Sequence, residues 1–183
     1  MKSPKSVRIG GKRLSEILES HGRFIRGEEG GVRAELAGAD LKNVDFTKAN
    51  LSFVNFAGAD LRGACLREAR LGSADFSKAN LQKADMRRVD LTEAHLPGAN
   101  MEDALVSGVE AFRADFRGAN MRGTDLGMTN FRDAQLQGVD FKGARMNATI
   151  LRETNLEGVD LSGVDLATVL LPRNYAKAGA ARN

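Results

Sequence analysis

The chain has 183 residues, a formal net charge of +3 and a single cysteine. The length suits one domain, and the lone Cys65 excludes a disulfide framework and fits a reducing compartment. No apolar run is long enough to span a bilayer, and none follows the charged opening MKSPKSVRIGGKR as a signal peptide requires, so a cytoplasmic protein without membrane attachment is expected.

The charge is unevenly spread. Residues 1–33 hold 8 basic and 4 acidic side chains, residues 34–172 hold 16 and 20, and the tail from Arg173 adds 3 basic ones. The high isoelectric point therefore belongs to the ends, and a basic body built for nucleic acid is disfavoured.

Taken in chain order, residues 1–33 form an N-terminal unit. Residues 1–12 are expected to be flexible. Leu14, Ile17, Leu18, His21, Phe24 and Ile25 fall on one helical stripe, which predicts a helix over about 14–26. Gly27, Gly30 and Gly31 then end it. An amphipathic helix ahead of a repeating body is most simply a lid on that body's first edge. The sharper alternative is a partner-binding helix. His21, on the apolar stripe, reads as a packed residue at the core's edge and not as a ligand.

From Ala34 to Leu171 one rhythm governs the chain. Every fifth residue is large and apolar (Leu36, Leu41, Phe46, Leu51, continuing to Leu171), and the residue two places before it is Ala, Val or Thr. The pattern recurs 28 times without a slip. Period five fits neither the 3.6 of a helix nor the 2 of a flat strand. The small and large residues, two apart, can share a strand face, and the next two residues must then turn the chain. Each pentapeptide is one side of a coil with a corner at its end. Right-angled corners close a square in four repeats, giving about seven coils over 34–171 with backbone groups paired to the coils above and below. Alternating large and small inward side chains let a narrow shaft reach interior packing density. Ala111 is undersized for its site and Phe112 follows it, so a local distortion is expected there.

Runs such as ADFSKANLQKAD and GVDLSGVDLATV resemble the pentapeptide-repeat family, whose consensus is A(D/N)LxX. The resemblance implies an all-β fold, a right-handed quadrilateral parallel β-helix, with the predicted helix as its N-terminal capping α-helix. The segment LSEILESHGRFIRGEEGGVRAEL is also similar to a leader that precedes the repeats in other members. Some members protect or inhibit DNA gyrase by imitating duplex DNA.

Residues twenty apart should stack in outward columns. Asp40, Asp60, Asn80, Asn100, Asn120, Asp140 and Asp160 form one, beside Lys42, Arg62, Gln82, Glu102, Arg122, Lys142 and Ser162. Opposite charges in neighbouring columns can pair, which makes a self-neutralised face the simplest reading and a docking face for an acidic partner the sharper one. Glycine at two corners, Gly38 to Gly158 and Gly63 to Gly143, predicts type II turns there. The other two corners carry Lys48, Glu68, Phe53 or Arg113 and are expected to turn differently. Outward positions should be polar, yet they include Leu105, Phe112, Met128, Ile150 and Leu170. These five are the candidate interface: a patch in the C-terminal half, covered by the tail 172–183 or serving as a homodimer or partner surface. Pro172 breaks the rhythm, Tyr175 is placed to fold over the last coil, and the remaining tail is expected to fray.

No catalytic constellation is present. Cys65 falls at an outward position and reads as a surface thiol. His95 lies in a column between Asp75 and Asp115, a surface ion pair before it is a metal site. No cofactor, metal or small-molecule substrate is implied, and an enzyme is not expected. The functional expectation is a rigid protein-interaction module with an unidentified protein partner. The alternative is a DNA-mimicking modulator of gyrase, against which the many arginines of the body weigh. Nucleic-acid binding through the basic ends ranks below both.

Overall fold

The computed structural model describes residues 1–173 and Tyr175. Its body is one continuous winding in which parallel bridges join residues twenty apart: Asp40 to Asp60, Asp60 to Asn80, Asp45 to Cys65, Asn50 to Arg70, Asn55 to Asp75. Four such columns run along the molecule, so four pentapeptides make one circuit. Each side contributes a single bridged residue, flanked by bonds of one kind. The large residue's N–H donates to the next coil (Leu61 to the Asn80 carbonyl, 2.7 Å), and the middle residue's N–H donates to the coil before (Asp60 to the Ala39 carbonyl, 2.9 Å).

The side chains flanking the bridges meet on the axis. Leu61, Leu81, Met101 and Met121, one column, are all fully buried, and so are Phe56, Phe76, Phe116, Phe131 and Phe141. Phe56 and Phe76 stack at 4.9 Å between centroids, and Phe116 meets Phe131 edge-on at 5.4 Å. Threonine at the small inward site keeps its hydroxyl satisfied by bonding to the backbone. Thr124 donates to the Met121 carbonyl at 2.7 Å, and Thr129 donates to that of Val106 at 2.7 Å.

Ala111 is fully buried, and its coil keeps its backbone bonds except at the corner just before it. Its N–H donates to Asn130 at 2.8 Å and its carbonyl closes the following turn with Ala114 at 3.2 Å. The expected distortion is therefore corrected for most of the coil and confined to that corner, where Val109 does not close the turn onto Val106 as the small residue does at the other described corners, and the Val106 carbonyl takes the Thr129 hydroxyl at 2.7 Å. Phe131 occupies the next rung of the same column and offsets the volume that alanine lacks. Phe112 lies half-buried on the outside, with the Arg113 guanidinium 4.7 Å from its ring centre.

The corners correct a second expectation. The second corner residue has positive φ whether or not it is glycine: Gly58 at 64° and Gly118 at 66°, but also Lys48 at 60°, Phe53 at 66°, Glu68 at 57°, Arg113 at 57° and Met128 at 58°. The small residue's N–H closes the turn onto the preceding large residue, as Ala59 does onto Phe56 at 2.9 Å. A positive φ at that one central position is the type II pattern. Stacking forces it. Coils that bridge on all four sides need the same corner on all four, so side-chain preference is overridden at a local cost of about 1 kcal/mol or more per residue. Gly118 isolates that cost, because a Cβ placed there would meet nothing within 4 Å. Gly118→Ala is expected to lose about 1 kcal/mol in urea unfolding, and Gly118→Val more, since a β-branched residue tolerates positive φ worst.

Residues 1–12, read as flexible from the sequence, have defined conformation here. Lys2 bridges to Val44, donating to the Asn43 carbonyl at 2.6 Å and accepting from Asp45 at 2.9 Å. A 3-10 turn, Pro4–Ser6, leads to β1 (Arg8–Ile9) and β2 (Lys12–Arg13), a hairpin about the positive-φ pair Gly10 and Gly11. α1 then spans Leu14–Ile25, one residue short of the predicted end. Glu16 reaches back to accept the Arg13 N–H at 3.0 Å. At the far end Gly27, φ 69°, donates to Phe24 at 3.0 Å while Glu28 donates to Arg23 at 3.0 Å, the paired bonds of a Schellman motif. Leu14 and His21 are fully buried against the first coil, with Ile17 and Leu18 packed beside them. Phe24, assigned to the buried stripe by its spacing, is 39% exposed.

The last circuit is looser. Leu151 still donates to Leu170 at 2.8 Å and Leu170 to Thr149 at 2.9 Å. The bridges of Gln135 with Asn155 and Asp140 with Asp160 persist, and Leu156, Val159, Val164 and Leu166 are half-buried. Tyr175 packs on this end and donates its N–H to Pro172 at 3.1 Å. The expected fraying, and most of the tail 172–183 expected to cover the apolar patch, concern Asn174 and residues 176–183, which lie outside the described residues.

Candidate interaction surface

The outer surface is built by the residue between each inward pair and the two that follow it. That middle residue, usually Asp or Asn, bends its side chain over the corner and accepts the backbone N–H two residues on. Asp40 takes that of Lys42 at 3.2 Å, Asp75 that of Ser77 at 2.8 Å, Asn100 that of Glu102 at 3.2 Å. Only a short side chain with an acceptor oxygen does this, which explains the D/N of the repeat in physical terms. Spacing alone did not disclose this role.

An arginine at that following position adds a two-pronged ion pair. Arg62 grips Asp60, Arg87 grips Asp85 and Arg117 grips Asp115, each with its closest contact at 2.7 Å. These guanidinium bonds are the main cause of the lowered carboxyl pKa of Asp60, Asp85 and Asp115, outweighing the opposing effect of burial. Other pairs cross between coils: Lys42 with Asp60 at 3.7 Å, Arg67 with Asp85 at 3.6 Å and Arg122 with Asp140 at 3.0 Å. Exposed pairs of this kind stabilise little, because water and salt screen them and two long side chains must be held in place. Their larger effect is on the surface field. Residues 34–152 hold 16 basic and 16 acidic side chains, so the body's acidic excess lies wholly in residues 153–172, which carry four carboxylates and no base.

Of the five predicted interface residues, Leu105, Met128 and Leu170 are exposed, Met128 by 70%. Ile150 and Phe112 are half-buried. Ile150 and Leu170 bridge each other in one column, while Leu105 stands on the neighbouring side between Asp85 and Asp125. Met128 occupies the corner between those two sides, its N–H on the Asn147 carbonyl at 2.8 Å. Phe112 stands on the next corner, under Arg113. The winding thus brings Ile150 and Leu170 into direct register, sets Met128 and Phe112 on the two corners flanking their side, and leaves Leu105 on the neighbouring side. Sequence reasoning missed exposed Phe53, Val32 and Phe24 toward the N-terminal end.

Cys65, expected as a surface thiol, is 7% exposed. Its column does face outward, but its side chain is short and its neighbours close over it, with the Thr47 hydroxyl 3.1 Å from the sulfur. His95 is exposed and bridges to Asp75 and Asp115, and the Asp115 carboxylate is held by Arg117. A hollow of 1640 Å³ opens at the C-terminal end, lined among others by Arg132, Glu153, Leu156, Asp160 and Tyr175. Arg132 and Glu153 pair at 3.4 Å there.

Against sequence families, residues 34–72, 69–108, 94–127, 112–147 and 129–166 match pentapeptide repeats, in eight copies. The chain belongs to the pentapeptide-repeat family. Among solved pentapeptide-repeat structures it is similar to HetL of the cyanobacterium Nostoc sp. strain PCC 7120, a protein involved in regulating heterocyst differentiation. HetL is 28% identical over 74% of this chain and 82% of its own, with a TM-score of 0.34. A pentapeptide-repeat protein of the Arabidopsis thaliana thylakoid lumen is 27% identical over 66% and 70%, TM-score 0.31. QnrB1, a plasmid-mediated fluoroquinolone resistance protein, is 19% identical over 81% and 94%, TM-score 0.39. No curated protein sequence matches the chain. Among the described residues of this pentapeptide-repeat protein no helix is long and apolar enough to cross a membrane.

Proposed function

We propose that this pentapeptide-repeat protein is a non-enzymatic, stiff protein-binding module of the cytoplasm. In this reading it is a right-handed square β-helix of about seven coils, closed at its first edge by α1. The observation that carries it is the filled axis: inward Leu, Phe and Met side chains from Leu36 to Leu151 are almost all fully buried. A shaft packed in this way offers a partner its outside, where side chains stand in ordered columns, and leaves no room for a substrate along the axis between Leu36 and Leu151. Ile150 and Leu170 are the adjoining apolar members of the partner face, with exposed Met128 on the corner beside them. That face binds a second copy or another protein.

Electrostatic balance along residues 34–152 supports a protein partner over imitation of DNA, which needs sustained unpaired negative charge. The test is size-exclusion chromatography with light scattering, together with affinity capture from native lysate, on the wild type and on Ile150→Asp/Leu170→Asp. The expected result is a specific partner or dimer that the double variant loses while keeping its circular dichroism. Identical association states and identical captured proteins for both would refute the assigned face. Inhibition or protection of gyrase in a supercoiling assay would overturn the preference against DNA mimicry.

A further inference from the structure

Among the described residues, His21 is the one titratable side chain fully buried where α1 meets the winding. Its Nδ1 accepts the N–H of Ala34, the first repeat residue, at 3.2 Å. Its Nε2 is also buried and makes no hydrogen bond. Phe24 lies over the ring at 5.8 Å between centroids. An acceptor at Nδ1 requires the neutral ring with its proton on Nε2. Protonation would place a second N–H on Nδ1, pointed at the N–H of Ala34. Two donors would then face each other at a ring closed off from solvent, and the bond joining α1 to the first coil would be lost.

The surroundings offer the charged ring little help. From the entering segment it meets Arg33, whose charge opposes protonation and which is itself paired with Glu35 at 2.6 Å. From the first coil it meets the Ser52 carbonyl, which favours the charged form. From α1 it meets Phe24 among apolar neighbours, and Glu16, Glu19 and Arg23 of that helix are exposed. Burial is the largest influence and holds the imidazole pKa below its ordinary value. The sign follows. The unfolded or undocked chain takes up the proton near pH 6.5 and the docked chain resists it. The group's contribution to docking is therefore complete above about pH 6.5 and declines as pH falls through the docked value.

We propose that His21 is an acid-sensitive latch: its protonation releases α1 from the first coil and uncovers the N-terminal edge of the winding while the central coils stay folded. Local release is possible because each coil depends on its neighbours alone, so an end unit can open without the middle.

The test is amide hydrogen exchange of the full chain at pH 7.5 and pH 5, corrected for intrinsic rates, on the wild type and on His21→Asn. Asparagine sets a carbonyl oxygen near the Nδ1 position and does not titrate. In the wild type, protection over residues 14–25 and at Ala34 should fall at the lower pH by up to about tenfold per pH unit, while residues 81–121 keep theirs. In His21→Asn the same amides should show no pH dependence. Unchanged wild-type protection at pH 5, or an equal loss in His21→Asn, overturns the latch. Should the asparagine variant be undocked at both pH values, the wild type decides through magnetic resonance: the His21 ring and the Ala34 amide must titrate with one midpoint, and separate midpoints refute the proposal.

Discussion

Phe76→Ala should destabilise the protein by about 3–5 kcal/mol, whereas Phe53→Ala should change stability by less than about 0.5 kcal/mol. The two are phenylalanines of the first and third coils, one facing out and the other facing the axis. Phe76 is wholly buried and stacked on Phe56 at 4.9 Å, so truncation leaves a void between two rungs whose backbones are tied above and below. A rigid winding collapses poorly into such a void, which places the loss toward the upper end of the range. Phe53 is a corner residue, 49% exposed at φ 66°. Chemical unfolding followed by circular dichroism checks both variants. Because coupling runs only between adjacent coils, Phe76→Ala should also broaden the transition or split it, the coils beyond the void unfolding last.

Gly31→Ala should undock α1 and lower stability by about 1–3 kcal/mol or more. Gly31 lacks positive φ among the glycines that have it, so space and not backbone angle demands glycine here. A Cβ would come within 2.6 Å of the Arg23 carbonyl carbon and the Phe24 Cα, and closer still to the Phe24 nitrogen. All three are backbone atoms of the helix's final turn and cannot swing aside. The linker would be pushed off the helix, and with it the Val32 N–H bond to the Ser20 carbonyl at 3.2 Å. Loss of exchange protection confined to residues 14–36 is the expected outcome. Gly30→Ala, where a Cβ meets nothing within 4 Å, separates the steric effect from the strain of positive φ alone.

Much of this fold could be read from residue spacing, because one rule repeats. Leu36 through Leu151 face inward as period five requires, and Asp40 bridges Asp60 as four repeats to a circuit require. The errors arose where a local preference was weighed against the winding. Lys48, Phe53 and Arg113 are poor residues for positive φ, and preference alone suggested a different corner; bridging on every side decides otherwise. Ala111 is small for its site, and the departure stays within the one corner before it because the bonds to the coils above and below hold the rest. Cys65 was assigned to the surface by its column, and its short side chain is shaded by its neighbours. The hairpin of β1 and β2 gave no periodic signal, since four residues and two glycines are too few to show one. The proposed partner face is least accessible from sequence. Outward apolar residues are visible as exceptions to the repeat, yet which of them adjoin depends on side and corner, and only Ile150 and Leu170 share a rung-to-rung contact.

The twenty-residue circuit is tested most directly by spin-label distances in a Cys65→Ser background. One label pair replaces Asp40 and Asn120, four circuits apart, and the other replaces Asp40 and Asp140, five apart. At the usual strand spacing of about 4.8 Å, backbone separations of about 19 and about 24 Å are predicted, both narrow and differing by a single step. Two equal distances, or broad distributions spanning both values, would contradict the stacked winding.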